Sequence, residues 1–173
     1  FYHLIRLLVT SDLSSIFMTP QNSPHLQNIL DSISIACVNP IDPLLQKTVY
    51  QIVRSLFKYW LNINVIHSDS RINQFLISQI PLRIWQYVFS PDFDLTDAAF
   101  ASCFREQIEL QRDVLRTFYP NGSIEQLKSM LINHFSIDLE LGNQLIILIQ
   151  SAPSNNPIRQ FIQEIRIKKR LST

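Results

Sequence analysis

The sequence predicts an all-α protein built from antiparallel helix pairs. Apolar residues recur at helical spacing along almost the whole chain, and proline or helix-capping residues separate these stretches. The 173 residues include only two glycines, whereas β-hairpin turns and phosphate-binding loops depend on glycine. We therefore expect helices at residues 1–9, 12–18, 24–38, 43–61, 71–89, 95–118, 124–135, 138–151 and 156–171.

Proline and a capping residue mark the start of the third and the fourth predicted helix. Ser23-Pro24 combines an N-cap with a proline in the first turn, and Asp42-Pro43 repeats this arrangement. The short connection at 39–42 predicts an antiparallel pair of about 40 residues, which is the size of a HEAT repeat. Because clear self-similarity is absent, a helical bundle is the alternative to a HEAT-repeat solenoid.

Two later features concern helix boundaries. Pro81 should kink or split the helix at 71–89, because proline lacks a backbone donor and clashes with the preceding turn. Ser123 and Gln126 have the spacing of a capping box, in which each side chain bonds the backbone N–H of the other residue. We therefore expect a helix to begin at this pair.

The acidic stretch Pro91–Phe100, which reads PDFDLTDAAF, also has the pattern of a helix start. Asp94 or Thr96 can act as the N-cap, and Asp97 then lies in the first turn, where the helix dipole favours negative charge. Phe93 precedes the cap at a position typical of a hydrophobic staple. The stretch therefore predicts a turn that leads into a helix at 95–118.

Charge is distributed unevenly along the chain. Residues 1–157 contain ten Lys or Arg and thirteen Asp or Glu, whereas residues 158–173 contain five basic residues and one acidic residue. A basic tail indicates an anionic partner, although such tails are often only solvated. The tail segment Lys168-Lys169-Arg170 could contact phosphate, act as a nuclear localisation signal, or end its helix with cations that the dipole favours.

Catalytic, metal and membrane functions find little support in the sequence. Cys37 and Cys103 lie on apolar helix faces without CxxC spacing, so we expect buried free thiols in a reducing compartment. The histidines have no partner at metal-ligand spacing, and no nucleophile elbow is present. We expect no catalytic residue, metal, cofactor or small-molecule substrate. We also expect no membrane span, because the longest apolar run, Leu145–Ile149, is too short.

Two collinear motifs resemble the C-terminal part of the exportin-T family, the tRNA exportins of the importin-β-like superfamily. The first is a Phe-Asp-Leu-x-Asp-Ala helix start, matched here by Phe93, Asp94, Leu95, Asp97 and Ala98. The second is a Pro-Asp-Pro-like turn before Gln-Lys and a helix that ends in Trp, matched by Asn39–Pro43, Gln46, Lys47 and Trp60. In the same order and spacing, the resemblance covers most of residues 24–171.

The resemblance implies a HEAT-repeat solenoid that wraps tRNA together with the GTP form of the small GTPase Ran. Such a receptor shuttles between nucleus and cytoplasm and passes nuclear pore proteins on the way. Because the sequence begins at Phe1 inside an amphipathic pattern, we expect residues 1–173 to be the C-terminal segment of a larger exportin. In the family, this arch helps to grip the tRNA backbone.

Three helices carry basic triads at the spacing i, i+7, i+11, which places each triad on one face of its helix. A triad spans about 16 Å of helix, and RNA phosphates could lie along it with affinity from counterion release. The candidate RNA-binding residues are, in order of preference, Arg105, Arg112 and Arg116; Lys47, Arg54 and Lys58; and Arg159, Arg166 and Arg170.

Each triad also has an ordinary explanation, namely a solvated face opposite the core. Glu109 and Asp113 lie within or near the first-ranked triad, where they would partly neutralise it. Helix alternation places the helices at 43–61 and 95–118 on the same wall of a solenoid. The helix at 156–171 should then face elsewhere, unless it turns inward as a cap.

Two other functions remain open at this point. The chain could belong to another importin-β-like receptor, or to an unrelated helical-repeat scaffold, that binds a protein cargo. A helical enzyme that uses His134 is the more distant alternative. Trp60 and Trp85 could stack on bases, but their positions on apolar stripes predict core packing instead.

Overall fold

The computed structural model describes residues 2–11, 14–38, 42–118 and 122–171. Within these ranges every regular element is helical, which confirms the predicted all-α class. Ser14–Met18 and Ser23–His25 form 3₁₀-helices, and Phe75–Gln79 forms a π-helix. The α-helices are α1 (Tyr2–Thr10), α2 (Leu26–Ala36), α3 (Pro43–Asn62), α4 (Ser70–Gln74), α5 (Ile80–Val88), α6 (Ala98–Phe118), α7 (Ser123–Phe135), α8 (Leu139–Ser151) and α9 (Asn156–Leu171).

The two long helices α3 and α6 form the centre of the fold and pack against each other. Helices α1 and α2 pack against α3, while α5, α7 and α8 pack against α6, and α9 packs on α8. Contacts therefore run in succession from α1 through α3, α6 and α8 to α9. This succession is typical of repeat proteins, in which each unit contacts its neighbours, and the fold is a HEAT-repeat-like α-solenoid.

Aromatic side chains fill the core between these helices. Trp60 and Trp85 are both 0% exposed, and the ring of Trp60 meets Phe75 edge-on with 6.4 Å between centroids. Burying aromatic rings of this size removes a large apolar area from water and stabilises the fold strongly. The prediction that both tryptophans belong to the core, and not to a base-stacking surface, is confirmed.

The predicted cap of α3 is confirmed, and it helps to fix the connection with α2. One carboxylate oxygen of Asp42 accepts hydrogen bonds from the backbone N–H of Leu44 at 2.8 Å and of Leu45 at 3.1 Å. The hydroxyl of Tyr50 donates to the carbonyl of Cys37, just past the end of α2, at 3.1 Å. The Tyr50 bond links α3 to the end of α2, and residues 39–41 between them lie outside the described part of the chain.

Ser23 does not cap a helix as predicted. It begins a 3₁₀-helix instead, and the N-cap position belongs to Asn22, whose side chain makes no cap hydrogen bond. The hydroxyl and the carbonyl of Ser23 accept hydrogen bonds from the guanidinium of Arg71. The hydroxyl of Ser23, which was predicted to cap the helix, thus bonds to Arg71, a residue 48 positions away in the sequence.

Pro81 interrupts its helix, as predicted. The π-helix Phe75–Gln79 lies directly before the α5 segment that contains Pro81, and the N–H of Ile80 bonds the carbonyl of Phe75. Because proline has no N–H, it cannot complete the regular α-helical ladder, and the wider π-turn adjusts the backbone at that point. The segment predicted as one helix at 71–89 is therefore α4, the π-helix and α5.

The helix that follows the acidic stretch begins later than predicted, at Ala98. Asp97 is its cap, because its carboxylate accepts from the N–H of Ala99 at 2.7 Å and of Phe100 at 3.1 Å. Asp94 bonds the N–H and the hydroxyl of Thr96 at 2.8 and 2.7 Å. The assignment of Asp94 or Thr96 as the cap was wrong, since their side chains bond each other in the preceding turn.

The predicted capping box at α7 is also wrong. Gly122 occupies the N-cap position with φ of 80°, a left-handed conformation that glycine adopts without strain. Gln126 donates instead to the hydroxyl of Ser78 at 2.6 Å, which ties α7 to the π-helix. The buried hydroxyl of Ser123 has no hydrogen-bond partner among the described residues.

The two thiols are free and buried, as predicted. Burial raises the pKa of Cys37 to about 12, and burial also raises the pKa of Cys103 well above its ordinary value. Both thiols therefore stay protonated at neutral pH, and a protonated thiol is a poor nucleophile. Among the residues described, no helix has the length and hydropathy needed to cross a bilayer, and no group of His, Cys, Asp or Glu is arranged to hold a metal.

Candidate nucleic-acid interface

Arg54 joins the two central helices and is not a free cation. Its guanidinium lies 3.0 Å from the carboxylate of Glu106 and 3.5 Å from that of Asp113, both on α6. Gln51, one turn earlier on α3, donates to the same Glu106 carboxylate at 3.2 Å. Because two carboxylates face one guanidinium, the local charge available to a polyanion is not positive here.

Lys47 and Lys58 flank Arg54 on α3. Lys58 is exposed and Lys47 is half-buried. In the described part of the chain, no carboxylate lies within ion-pair distance of either ammonium group. The two lysines of this triad therefore keep their charge available, whereas the central arginine does not.

Arg112 was predicted to stand on an exposed ridge, and this prediction is wrong. The residue is 7% exposed, and its Nε and Nη2 atoms donate to the carbonyls of Ile149 at 2.6 Å and Ala152 at 2.9 Å. Its Nη1 atom lies 2.8 Å from the carboxylate of Glu109. The final carbonyls of α8 lack intrahelical donors and attract a cation, so Arg112 caps the C-terminus of α8.

Arg159 and Arg166 on α9 hold the turn before α6. Arg166 donates to the carbonyl of Phe93 at 2.7 Å and to the carbonyl of Ser90, and Arg159 donates to the carbonyl of Leu95. Arg159 and Arg166 therefore bond to the fold, whereas the spacing had placed them on a basic ridge that could bind RNA. The side chain of Arg170, its third member, lies outside the described residues.

Arg105 and Arg116 are the exposed cations of α6. Within the described ranges, neither guanidinium has a hydrogen bond or an ion pair. Since α6 packs beside α3, four uncompensated basic side chains lie on the two central helices, at positions 47, 58, 105 and 116. Of the nine predicted residues, the structure describes the side chains of eight, and it divides these into four cations without a bonded partner and four arginines that are bonded within the fold.

One groove brings together arginines from two triads that the sequence treated as separate. It lies between α6 and the turn that leads into α9, has a volume of about 360 Å³, and includes Arg105, Arg112 and Arg159 in its lining. Glu109 and Asn155 also line it. We call this space the α6–α9 groove. Helical periodicity could not find it, because the meeting of α6 with the α8–α9 turn is a tertiary contact.

A second groove, of about 340 Å³, lies between the π-helix and α7. His134 lines it together with Ser78, Ser129, Asn133 and several apolar side chains. Its lining contains no carboxylate and no thiol that could pair with the histidine. In the described part of the chain, Ser78 is bonded to Gln126 and Ser129 to Asn133, and no hydrogen bond joins either hydroxyl to His134. This arrangement gives no support to the enzyme alternative, because an activated nucleophile is hydrogen-bonded to its base.

Comparison with known proteins identifies the family. The exportin-T family model matches residues 1–170, which is nearly the whole chain. No curated protein and no solved structure matches the sequence. The match includes both sequence motifs that carried the resemblance, Phe93–Ala98 and residues 39–43. With this match over an all-α solenoid, the chain belongs to the exportin-T family.

Proposed function

We propose that the chain is the C-terminal, tRNA-gripping segment of a larger nuclear export receptor that binds tRNA cooperatively with Ran-GTP. The observation that carries the proposal is the exportin-T match over residues 1–170. The family consists of nuclear transport receptors and not of enzymes. In this proposal the receptor contacts nuclear pore proteins and shuttles between nucleus and cytoplasm, and the segment binds without catalysis.

Four basic side chains are the proposed direct contacts to tRNA phosphates. Lys47 and Lys58 on α3 and Arg105 and Arg116 on α6 have no carboxylate partner among the described residues. The adjacent packing of α3 and α6 supports a shared surface for one polyanion. Binding at such a surface gains most of its free energy from counterion release, so it should weaken steeply as salt is added.

The test uses the full-length receptor and tRNA with Ran-GTP. Replacing both Arg105 and Arg116 by Gln should weaken tRNA binding at low salt. It should also flatten the plot of log affinity against log salt by about 1–2 units, since each lost phosphate contact removes about 0.7–0.9. The double variant Arg6→Gln and Lys128→Gln removes the same charge from α1 and α7 and is the control. Equal affinity and equal salt dependence in the two double variants would contradict the proposed contacts.

A protein cargo is the second candidate, and exposed apolar side chains favour it. Leu4 and Leu7 on α1 are 59% and 62% exposed, and Ile35 on α2 is 64% exposed. Exposed apolar side chains that form a patch mark protein interaction sites. If the cargo is a protein, ternary complexes with Ran-GTP should form equally well after ribonuclease treatment. A tRNA cargo predicts that ribonuclease abolishes them.

A further inference from the structure

We propose that the α6–α9 groove binds the ribose-phosphate backbone of RNA, with the phosphate on Arg105 and Arg159 and a ribose hydroxyl on Asn155. This inference rests on the proposed tRNA-binding function and assigns it one built site. The groove of about 360 Å³ is open to solvent along α6. Polar groups from α6, from α9 and from the turn before α9 line it, so a ligand can make more contacts there than on a flat helix face.

The charge balance of the groove favours an anion. Three arginines and one glutamate line it, which gives a formal excess of two positive charges. The single carboxylate, on Glu109, is paired with Arg112 at 2.8 Å. Arg105 has no partner in the described part of the chain, and Arg159 donates to a neutral carbonyl, that of Leu95. Two guanidinium groups thus retain uncompensated charge, and guanidinium groups are preferred donors to phosphate.

The end of the groove adds a helix N-terminus. Helix α9 has sixteen residues and begins at Asn156, which lines the groove. Backbone N–H groups in a first helical turn lack intrahelical acceptors, and the helix dipole places partial positive charge there. The N-terminus of α9 therefore adds to the positive electrostatic potential that Arg105 and Arg159 produce in the groove.

Asn155 adds an acceptor to the lining of the groove. Its Oδ1 atom is buried, yet no donor bonds it among the described residues. A buried acceptor without a donor is costly, and native structures usually satisfy such atoms. A backbone phosphodiester has no proton to donate at neutral pH, whereas the ribose beside it carries a 2′-hydroxyl that can donate. The combination of cations and an unsatisfied acceptor fits a ribose-phosphate better than a phosphate alone.

Two substitutions in the turn test this groove without removing any arginine. In the full-length receptor with Ran-GTP, Ser154→Asp places a carboxylate in the groove and should weaken tRNA binding by about fivefold or more, since like charges repel. Ser154→Asn is the neutral control of similar size and should bind as the unmodified protein does. Equal binding by the two variants would overturn the inference.

Asn155→Ala separates binding from folding. The side chain makes no cap hydrogen bond, so removing its unsatisfied oxygen should leave thermal stability unchanged or slightly raised. Binding of tRNA should nevertheless fall about threefold or more. Loss of stability without loss of binding would mean that Asn155 is structural and would overturn its assigned role.

Protection of Arg105 from a dicarbonyl reagent provides a direct readout in the unmodified receptor. Mass spectrometry should show that tRNA with Ran-GTP slows modification of Arg105, whereas Arg6 stays reactive. If tRNA binds but Arg105 is not protected, the groove inference and the proposed contact at Arg105 fail, while the proposed tRNA-binding function of the receptor stands. If no tRNA binds under any condition, both fail.

Discussion

At the scale of single residues, the arginines of this chain have two different fates. Arg105 and Arg112 are seven positions apart on one helix, so periodicity alone places them on the same face. Arg105 is exposed, whereas Arg112 is 7% exposed and bonded to the end of α8. The two arginines differ in exposure because the end of α8 packs over Arg112 and not over Arg105. The spacing of basic residues therefore indicates a candidate surface but does not show which cations are free.

Arg112→Met should destabilise the protein by about 2–3 kcal/mol, because it leaves the carbonyls of Ile149 and Ala152 without their donor in a buried site. Methionine keeps most of the side-chain volume, so a cavity contributes little. Urea unfolding at equilibrium measures the change. Arg105→Met on the same helix is the matched control and should shift the free energy of unfolding by less than about 0.5 kcal/mol. Equal changes in the free energy of unfolding for the two variants would contradict the stabilising role of Arg112 at the C-terminus of α8.

Asp69 gives a pH-dependent prediction at the same scale. Hydrogen bonds from Arg71 lower the pKa of this carboxyl below its ordinary value. Its folded-state pKa lies below its unfolded-state pKa, so its stabilising contribution is present above the unfolded value of about 4 and is lost as pH falls through the folded value. Asp69→Asn should therefore reduce the midpoint of thermal unfolding at pH 7, and the difference should shrink towards pH 3. A constant difference would contradict this assignment.

At the scale of elements, helix existence follows from the sequence better than helix ends do. Pro81 and Asp42 act through their own backbone neighbourhood, so the interrupted helix and the cap of α3 are confirmed. Ser23 and Gln126 have equally good local signals, but Arg71 and Ser78 bond them from distant segments. Local signals fail where a tertiary partner competes for the same polar group.

The candidate site was predictable only in part for the same reason. Sequence spacing singled out Arg105 and Arg159, and both line the α6–α9 groove. It could not show that α9 lies close enough to bring them together, since this depends on how α8 turns into α9. Asn155 was missed, because an asparagine before a helix start usually acts as a cap, and only the structure shows its oxygen to be unsatisfied.

At the scale of the whole molecule, the acidic stretch before α6 joins distant parts of the chain. Phe93 packs against Tyr87 of α5 with 4.8 Å between ring centroids, and its carbonyl accepts from Arg166 of α9. The stretch therefore connects the middle of the solenoid to its final helix. The motif predicted as a helix start therefore also provides backbone carbonyls to which the arginines of α9 bond.

These contacts predict which parts of the chain lose protection from hydrogen exchange when the bonds between Arg166 and residues 90 and 93 are removed. In a solenoid, stability is approximately a sum over units and their nearest-neighbour contacts, so damage to one contact should remain local. Arg166→Met removes donors from the carbonyls of Ser90 and Phe93. Amide hydrogen exchange should therefore accelerate in α9 and in residues 90–97, while α3 keeps its protection. The exposed residue Gln163 lies on the same helix, so Gln163→Met is the control and should leave both regions unchanged. An equal loss of protection in α3 and α9 would mean that the chain unfolds as one cooperative unit, and the arginine contacts would then stabilise the whole fold and not the attachment of its last helix.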